Sequence, residues 1–106
     1  MDIIKLDVIK KAIDEKKGEN IETIDVSDKS PFFTHMIIAT IKNSRQGNAI
    51  GEEIQKNLSL LNETVRHIEG RDSEWVVIDC HDILVHLFTE EERERNNLEQ
   101  LYKGKK

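Results

Sequence analysis

Leu6, Ile9, Ala12 and Ile13 recur at three- and four-residue spacing with charges between them, and Gly18 follows. That pattern predicts an amphipathic helix closed by a glycine C-cap. Residues 21–26 are short and β-branched and run into the turn-forming Ser27, Asp28, Lys29, Ser30 and Pro31, which predicts a strand. Residues 36–41 are nearly continuous apolar sequence rich in isoleucine, the pattern of a central strand buried on both faces. Asn43 and Ser44 then precede Ala49, Ile50, Ile54, Leu58 and Leu61, so a second amphipathic helix is expected, opened by a serine N-cap and ending near Asn62. A strand followed by a helix suggests a crossover connection.

Further along, residues 65–68 offer another short strand, residues 70–73 a turn, and residues 75–78 and 83–88 two more strands. The tight link Asp79, Cys80, His81, Asp82 between the last two reads as a hairpin turn. From Thr89 the chain turns acidic and then basic, and Leu98, Leu101 and Tyr102 are spaced for a short C-terminal helix. Helix, strand, strand, helix, three strands, helix is the order of an α/β sheet of roughly five strands flanked by helices, with strand order left open.

At 106 residues the chain is expected to be one domain, 1–106, without a linker. The apolar fraction of 37% is low, and the charged fraction of 35% exceeds the roughly 25% of average globular domains, so the core is thin and the surface heavily solvated. A net charge of -5 opposes the phosphate backbone, which disfavours direct binding to bare DNA or RNA and leaves a basic protein partner open. The basic tail of Lys103, Lys105 and Lys106 is read as a solvated end. Cys80 stands alone, and Lys5, Asp7, Lys10 and Lys11 interrupt the first apolar residues, so a cytoplasmic chain without a signal peptide is expected. No apolar stretch approaches the roughly 20 residues that span a bilayer, and no membrane partner is expected.

Asp79, Cys80, His81 and Asp82, with His86 on the next strand, form the densest cluster of reactive side chains. A zinc site would need converging ligand pairs, and the single cysteine has no second pair beside it. A nucleophilic Cys80 would need a histidine base in reach, which His81 or His86 could supply, although His81, its neighbour on an extended chain, points away. Phosphoryl or nucleotidyl transfer would use Asp79 and Asp82 to hold magnesium, but they stand three apart across a turn and lack a glycine-rich phosphate loop. A polar turn is the preferred reading, with no catalytic residue, metal or cofactor expected. Ser44, Arg45 and Gln46 open a helix that either binds an anion or is simply capped, and the cap is favoured. Trp75 is the only tryptophan, an interface anchor or a core-edge residue with equal weight. Alternation puts Trp75, Val77 and Asp79 on one side of their strand and Val76 and Ile78 on the other.

The run Glu74, Trp75, Val76, Val77, Ile78, Asp79, followed by Asp82, Ile83, Leu84, Val85, His86, Leu87, Phe88, resembles the signature of the ribosomal silencing factor family, the Iojap-like proteins. The likeness extends through Asp25, Val26, Ser30, Ile37, Ile38, Ala39, Thr40, Ser44, Arg45, Gln46, Ala49, Ile50, Glu69, Gly70, Leu98, Glu99 and Leu101. It implies a mixed sheet flanked by helices, similar to nucleotidyltransferases without their catalytic residues. It further implies a non-enzyme that binds the large ribosomal subunit through its fourteenth protein, blocks joining of the small subunit and so represses translation. Isolated members of such a family are often homodimers. The partner-binding positions carried over are Trp75, Val77, Asp79, Asp82, His86, Arg45 and Gln46. Departures fall at Ile41 and His81, where the family has glycine, at Cys80, at Arg95 and Asn96 in place of an aromatic pair, and at Tyr102 in place of tryptophan. The competing expectation is a metal-dependent nucleotidyl or phosphoryl transfer enzyme using Asp79 and Asp82.

Overall fold

The structure, a computed structural model, describes residues 2–103, with side chains described for residues 4–100. The side chains of Leu101, Tyr102 and Lys103, and all of Lys105 and Lys106, lie outside the described residues. The elements run α1 (Asp2–Glu15), β1 (Glu19–Asp25), β2 (His35–Ile41), α2 (Ser44–Ser59), β3 (His67–Glu69), β4 (Trp75–Asp79), β5 (Ile83–Thr89), α3 (Glu90–Asn96) and α4 (Leu98–Lys103). This is the expected order, with the last helix in two pieces.

The five strands form one sheet in the order β1-β2-β5-β4-β3. β2 runs parallel to β5, and the other neighbouring pairs are antiparallel, so the sheet is mixed. β5 occupies the middle, and the isoleucine-rich β2 is its inner neighbour. Residues 36–41 are buried on both faces, as their unbroken apolar run predicts.

Strand alternation divides the core in two. Ile37, Ala39, Ile41, Val76, Ile78, Val85 and Leu87 point to one face, where Ile9, Ala12 and Ile13 of α1 and Ile50, Ile54 and Leu58 of α2 cover them. On the other face Ile24, Val26, Met36, Ile38 and Phe88 form a smaller cluster, with Phe33, Trp75, Leu84 and Leu98 at its margin. α3 packs on β5 and β2, and α4 on β1.

Several boundaries differ from the sequence expectation for identifiable reasons. Gly18 follows the first helix, yet the left-handed residue there is Lys17, at φ 72°. The N–H of Gly18 bonds the Ile13 carbonyl at 2.8 Å and that of Lys17 the Asp14 carbonyl at 3.0 Å, a Schellman closure displaced by one residue. Glycine is required at 18 by space, because a Cβ there would lie 2.4 Å from Ile13 Cγ2. Asn43, not Ser44, caps α2, its side chain accepting the Gln46 N–H at 2.9 Å. That helix stops at Ser59 rather than near Asn62, whose φ of 59° turns the chain away. The strand expected at 65–68 is confined to β3, with the Arg66 N–H bonded to the Asp79 carbonyl just ahead of it.

α3 has no buried residue, so no apolar period announced it. Thr89 caps it, Glu90, Glu91 and Glu92 occupy its first turn and Arg93 and Arg95 its last, the charge order the helix dipole favours. Arg93 ties it down. Its guanidinium bonds Glu99 at 3.1 and 2.7 Å, the Asn20 carbonyl at 2.8 Å and the Thr40 hydroxyl at 2.7 Å.

Two neighbouring substitutions are expected to move stability in opposite directions. Gly18→Ala forces a methyl into Ile13 and is expected to destabilise by about 1–3 kcal/mol. Lys17→Gly relieves the left-handed backbone and is expected to stabilise by roughly 1 kcal/mol. Urea denaturation of the two variants beside the wild type checks both signs.

Candidate functional site

The hairpin of β4 and β5 places the singled-out side chains through its register. Trp75 pairs with Phe88, Val77 with His86 and Asp79 with Leu84, and all six face away from α1 and α2. Three rings meet there. Trp75 lies 5.4 Å from Phe88 and 5.9 Å from His86, both at 47°, while His86 stacks on Phe88 at 6.2 Å and 26°. The Trp75 indole N–H donates to His86 Nδ1 at 3.1 Å. Because an indole is only a donor, that nitrogen must be the unprotonated one, and the proton of neutral His86 sits on Nε2.

Phe88 is fully buried and His86 is 8% exposed, whereas Trp75, Val77 and Leu84 stay half-buried. An apolar strip therefore runs over β4 and β5 to Phe33, which packs on the same cluster. Its neighbour Phe32 is 73% exposed. The Ser30 hydroxyl holds this turn by accepting the N–H groups of both phenylalanines at 3.1 Å. Sequence reasoning missed Phe32 and Phe33, since two adjacent aromatics after a proline show no periodicity; the signal was the aromatic pair itself, inside an otherwise polar turn.

The reactive groups at the hairpin tip are turned to structural use. Asp79 accepts Arg66 Nε and Nη2 on Oδ2 at 3.2 and 3.1 Å, and the His81 N–H on Oδ1 at 2.9 Å. Asp82 accepts Lys5 Nζ at 2.8 Å. Lys5, 6% exposed, also donates to the Cys80 carbonyl at 2.7 Å and pairs with Glu63 at 3.4 Å. Burial pulls its ammonium pKa down, but the bond to Asp82 and the charges of Asp82 and Glu63 outweigh it, so the pKa is raised and Lys5 is charged. The two carboxylates thus answer to different cations and do not form a free pair for magnesium. Among the described residues, no three His, Cys, Asp or Glu side chains are grouped to hold a metal.

Cys80 is buried in the helix-covered core, and its thiol pKa is pushed up to about 12, chiefly by that burial, with the negative charges of Asp79 and Asp82 adding to it against Lys5. Such a thiol stays protonated and is no nucleophile. His81 has φ 76°, a left-handed position that explains why glycine suits the turn. Its Nε2 lies 3.0 Å from the Thr64 hydroxyl.

Arg45 and Gln46 do not join this surface. They open α2, which covers the opposite face, and Gln46 is engaged at both ends: Oε1 accepts the Lys42 N–H at 2.6 Å and Nε2 donates to the Lys16 carbonyl at 3.0 Å. Gln46 therefore fastens α2 to the end of α1, and Arg45 is an exposed residue beside it. Of the seven positions expected to bind a partner, Trp75, Val77 and His86 share one surface with Asp79 at its edge, while Asp82 is drawn to α1.

The chain is similar to known proteins over most of its length. Residues 2–106 match the family described as "Ribosomal silencing factor during starvation". The chain belongs to that family. A ribosomal silencing factor of Zymomonas mobilis is 32% identical over 98 residues, which are 92% of this chain and 74% of that protein. One from Bacillus subtilis is 33% identical over 92 residues, 86% of this chain and 78% of that one. A crystal structure of a Chromobacterium violaceum protein superposes with a TM-score of 0.90 at 30% identity, covering 97% of this chain and 87% of that one. A Bacillus halodurans structure gives 0.80 at 30% identity, over 92% and 91%. The half-exposed apolar strip on β4 and β5 is the candidate docking surface of this chain.

Burial lowers the His86 pKa from 6.5 to about 4. As pH falls below about 6.5 the unfolded chain takes up a proton that the folded one refuses, so stability present above that pH is progressively lost down to about pH 4. The loss between pH 7 and pH 4.5 is expected to be roughly 2–3 kcal/mol from this group. Urea denaturation at both pH values is expected to show a loss smaller by most of that amount in His86→Asn, which has nothing to protonate.

Proposed function

We propose that this chain binds the large ribosomal subunit through its fourteenth protein, at the face where the small subunit joins, and represses translation by steric exclusion. Family membership makes a role as a ribosomal silencing factor the starting point. The observation that carries the choice of surface is the half-exposed apolar strip of Trp75, Val77 and Leu84 on β4 and β5, flanked by Phe33 and Phe32. An aromatic anchor in an apolar setting with a charged rim is the composition of a protein interface core.

Charge supports the same reading. A chain at -5 is repelled by bare ribosomal RNA and attracted to a basic protein on it, so the contact is with protein, and the charge speeds encounter more than it tightens binding. Blocking a joining face needs bulk and affinity and no chemistry, in keeping with a thiol held protonated and two carboxylates held by Arg66 and Lys5. This reading makes the chain a non-enzyme that acts in the cytoplasm, where the subunits meet.

Sedimentation of the purified chain with separated subunits is expected to place it on the large subunit and to reduce the joined particle in proportion to occupancy. Trp75→Ala is expected to weaken that binding roughly 30-fold or more, as hot-spot tryptophans do. Wild-type chain that stays at the top of the gradient, or subunits that join normally while it is bound, would overturn the proposal.

A further inference from the structure

We propose that His86 is a positioning residue for docking: its Nδ1 lone pair holds the Trp75 indole in one orientation on the open sheet face. The inference rests on the reading of Trp75 as the docking anchor and says how that anchor is kept in shape.

The geometry forms a chain from core to surface. Phe88 is fully buried at the middle of the sheet, on β5. His86, two residues earlier on the same face, stacks on it at 26° and is itself 8% exposed, so the imidazole has little room to turn. Trp75 stands opposite Phe88 across the hairpin, which makes His86 its diagonal neighbour, within reach of a long side chain. The 3.1 Å bond from the indole N–H to Nδ1 then ties the half-exposed ring to the buried one.

An indole on a sheet face has two torsions to settle, and packing alone constrains them weakly where one side of the ring meets water. Water would satisfy a free indole N–H just as well, so the bond adds direction more than stability. Direction matters for docking, because a partner pays for every side chain it must order on binding. Histidine supplies what the site needs: an apolar ring to stack on Phe88 and one acceptor aimed at the indole. Leucine fills the same space without the acceptor. Asparagine places its carbonyl oxygen near the position of Nδ1.

Trp75 carries the only indole in the chain, so its N–H gives a single signal in a nitrogen–proton correlation spectrum. In the wild type, imidazole nitrogen shifts are expected to show Nδ1 unprotonated and Nε2 protonated, with the indole N–H slow to exchange with water. A protonated Nδ1, or an indole N–H exchanging at the free rate, would overturn the proposal without any variant. His86→Leu is expected to move the indole signal upfield, speed its exchange and weaken binding to large subunits about two- to tenfold, the range for one side chain that must be ordered. His86→Asn is expected to restore much of each. If His86→Leu binds as the wild type does while Trp75→Ala is weakened, the positioning role is wrong and the docking surface stands. If Trp75→Ala binds normally, the docking surface is wrong, and the positioning role falls with it.

Discussion

Seven successive register pairs, from His35 with Ile83 to Ile41 with Thr89, hold β2 parallel to β5, and both strands are buried over most of their length. Parallel neighbours cannot be joined by a tight turn, so the chain between them has to leave the sheet and return. It does so through α2, then β3 and β4, and comes back to β5 by a hairpin. α2 lies beside α1 over one face, so that face is closed by two helices. On the other face the short α3 and α4 pack on β5, β2 and β1, and Val26 and Phe33 of the turn after β1 join the cluster. The open strip at Trp75 and Val77 is thus a consequence of where the crossover helix goes.

The helices are locked by a few charged side chains drawn inward. Lys5 joins α1 to the hairpin tip through the Cys80 carbonyl and Asp82, and reaches Glu63 beyond α2. Arg93 joins α3 to β1, β2 and α4 through the Asn20 carbonyl, Thr40 and Glu99. Losing one partner leaves a buried cation uncompensated, so each of these is stronger as a fixture than an exposed pair. Their acceptors include Asp82, one of the two carboxylates weighed for chemistry. In a chain with a thin apolar core, charged residues carry part of the assembly work that a larger domain leaves to leucine.

How much of this was legible follows from what each residue needed. α1 and α2 were plain because their burial has a period, as the spacing of Ile9 with Ile13 and of Ile50, Ile54 and Leu58 shows, and β2 because its apolar run is unbroken. The split of β4, with Val76 and Ile78 beneath the helices and Trp75, Val77 and Asp79 outside, was legible for the same reason. α3 was not, because it buries nothing and stands on caps and charge order. Gly18 was read as the cap whose left-handed position Lys17 holds, because a glycine demanded by a close contact and a glycine demanded by a positive φ look alike in sequence. Arg45 and Gln46 were grouped with Trp75 by resemblance, which carries no information about which face a helix covers.

The hairpin tip shows why reactive residue types mislead without their partners. Asp79, Cys80, His81 and Asp82 have the side chains of a small active site, and each is explained by backbone geometry. Asp79 caps the N–H of left-handed His81 while neutralising Arg66 just ahead of β3. Cys80 is the last inward position of the apolar alternation, and the same burial that suits it there keeps its thiol protonated. Asp82 answers Lys5 on α1, across the end of the sheet. What survives as a surface is the outward half of the segment, the side that carries Trp75. Docking favours the groups that no internal bond consumes, and on this hairpin those are the faces of Trp75, Val77 and Leu84.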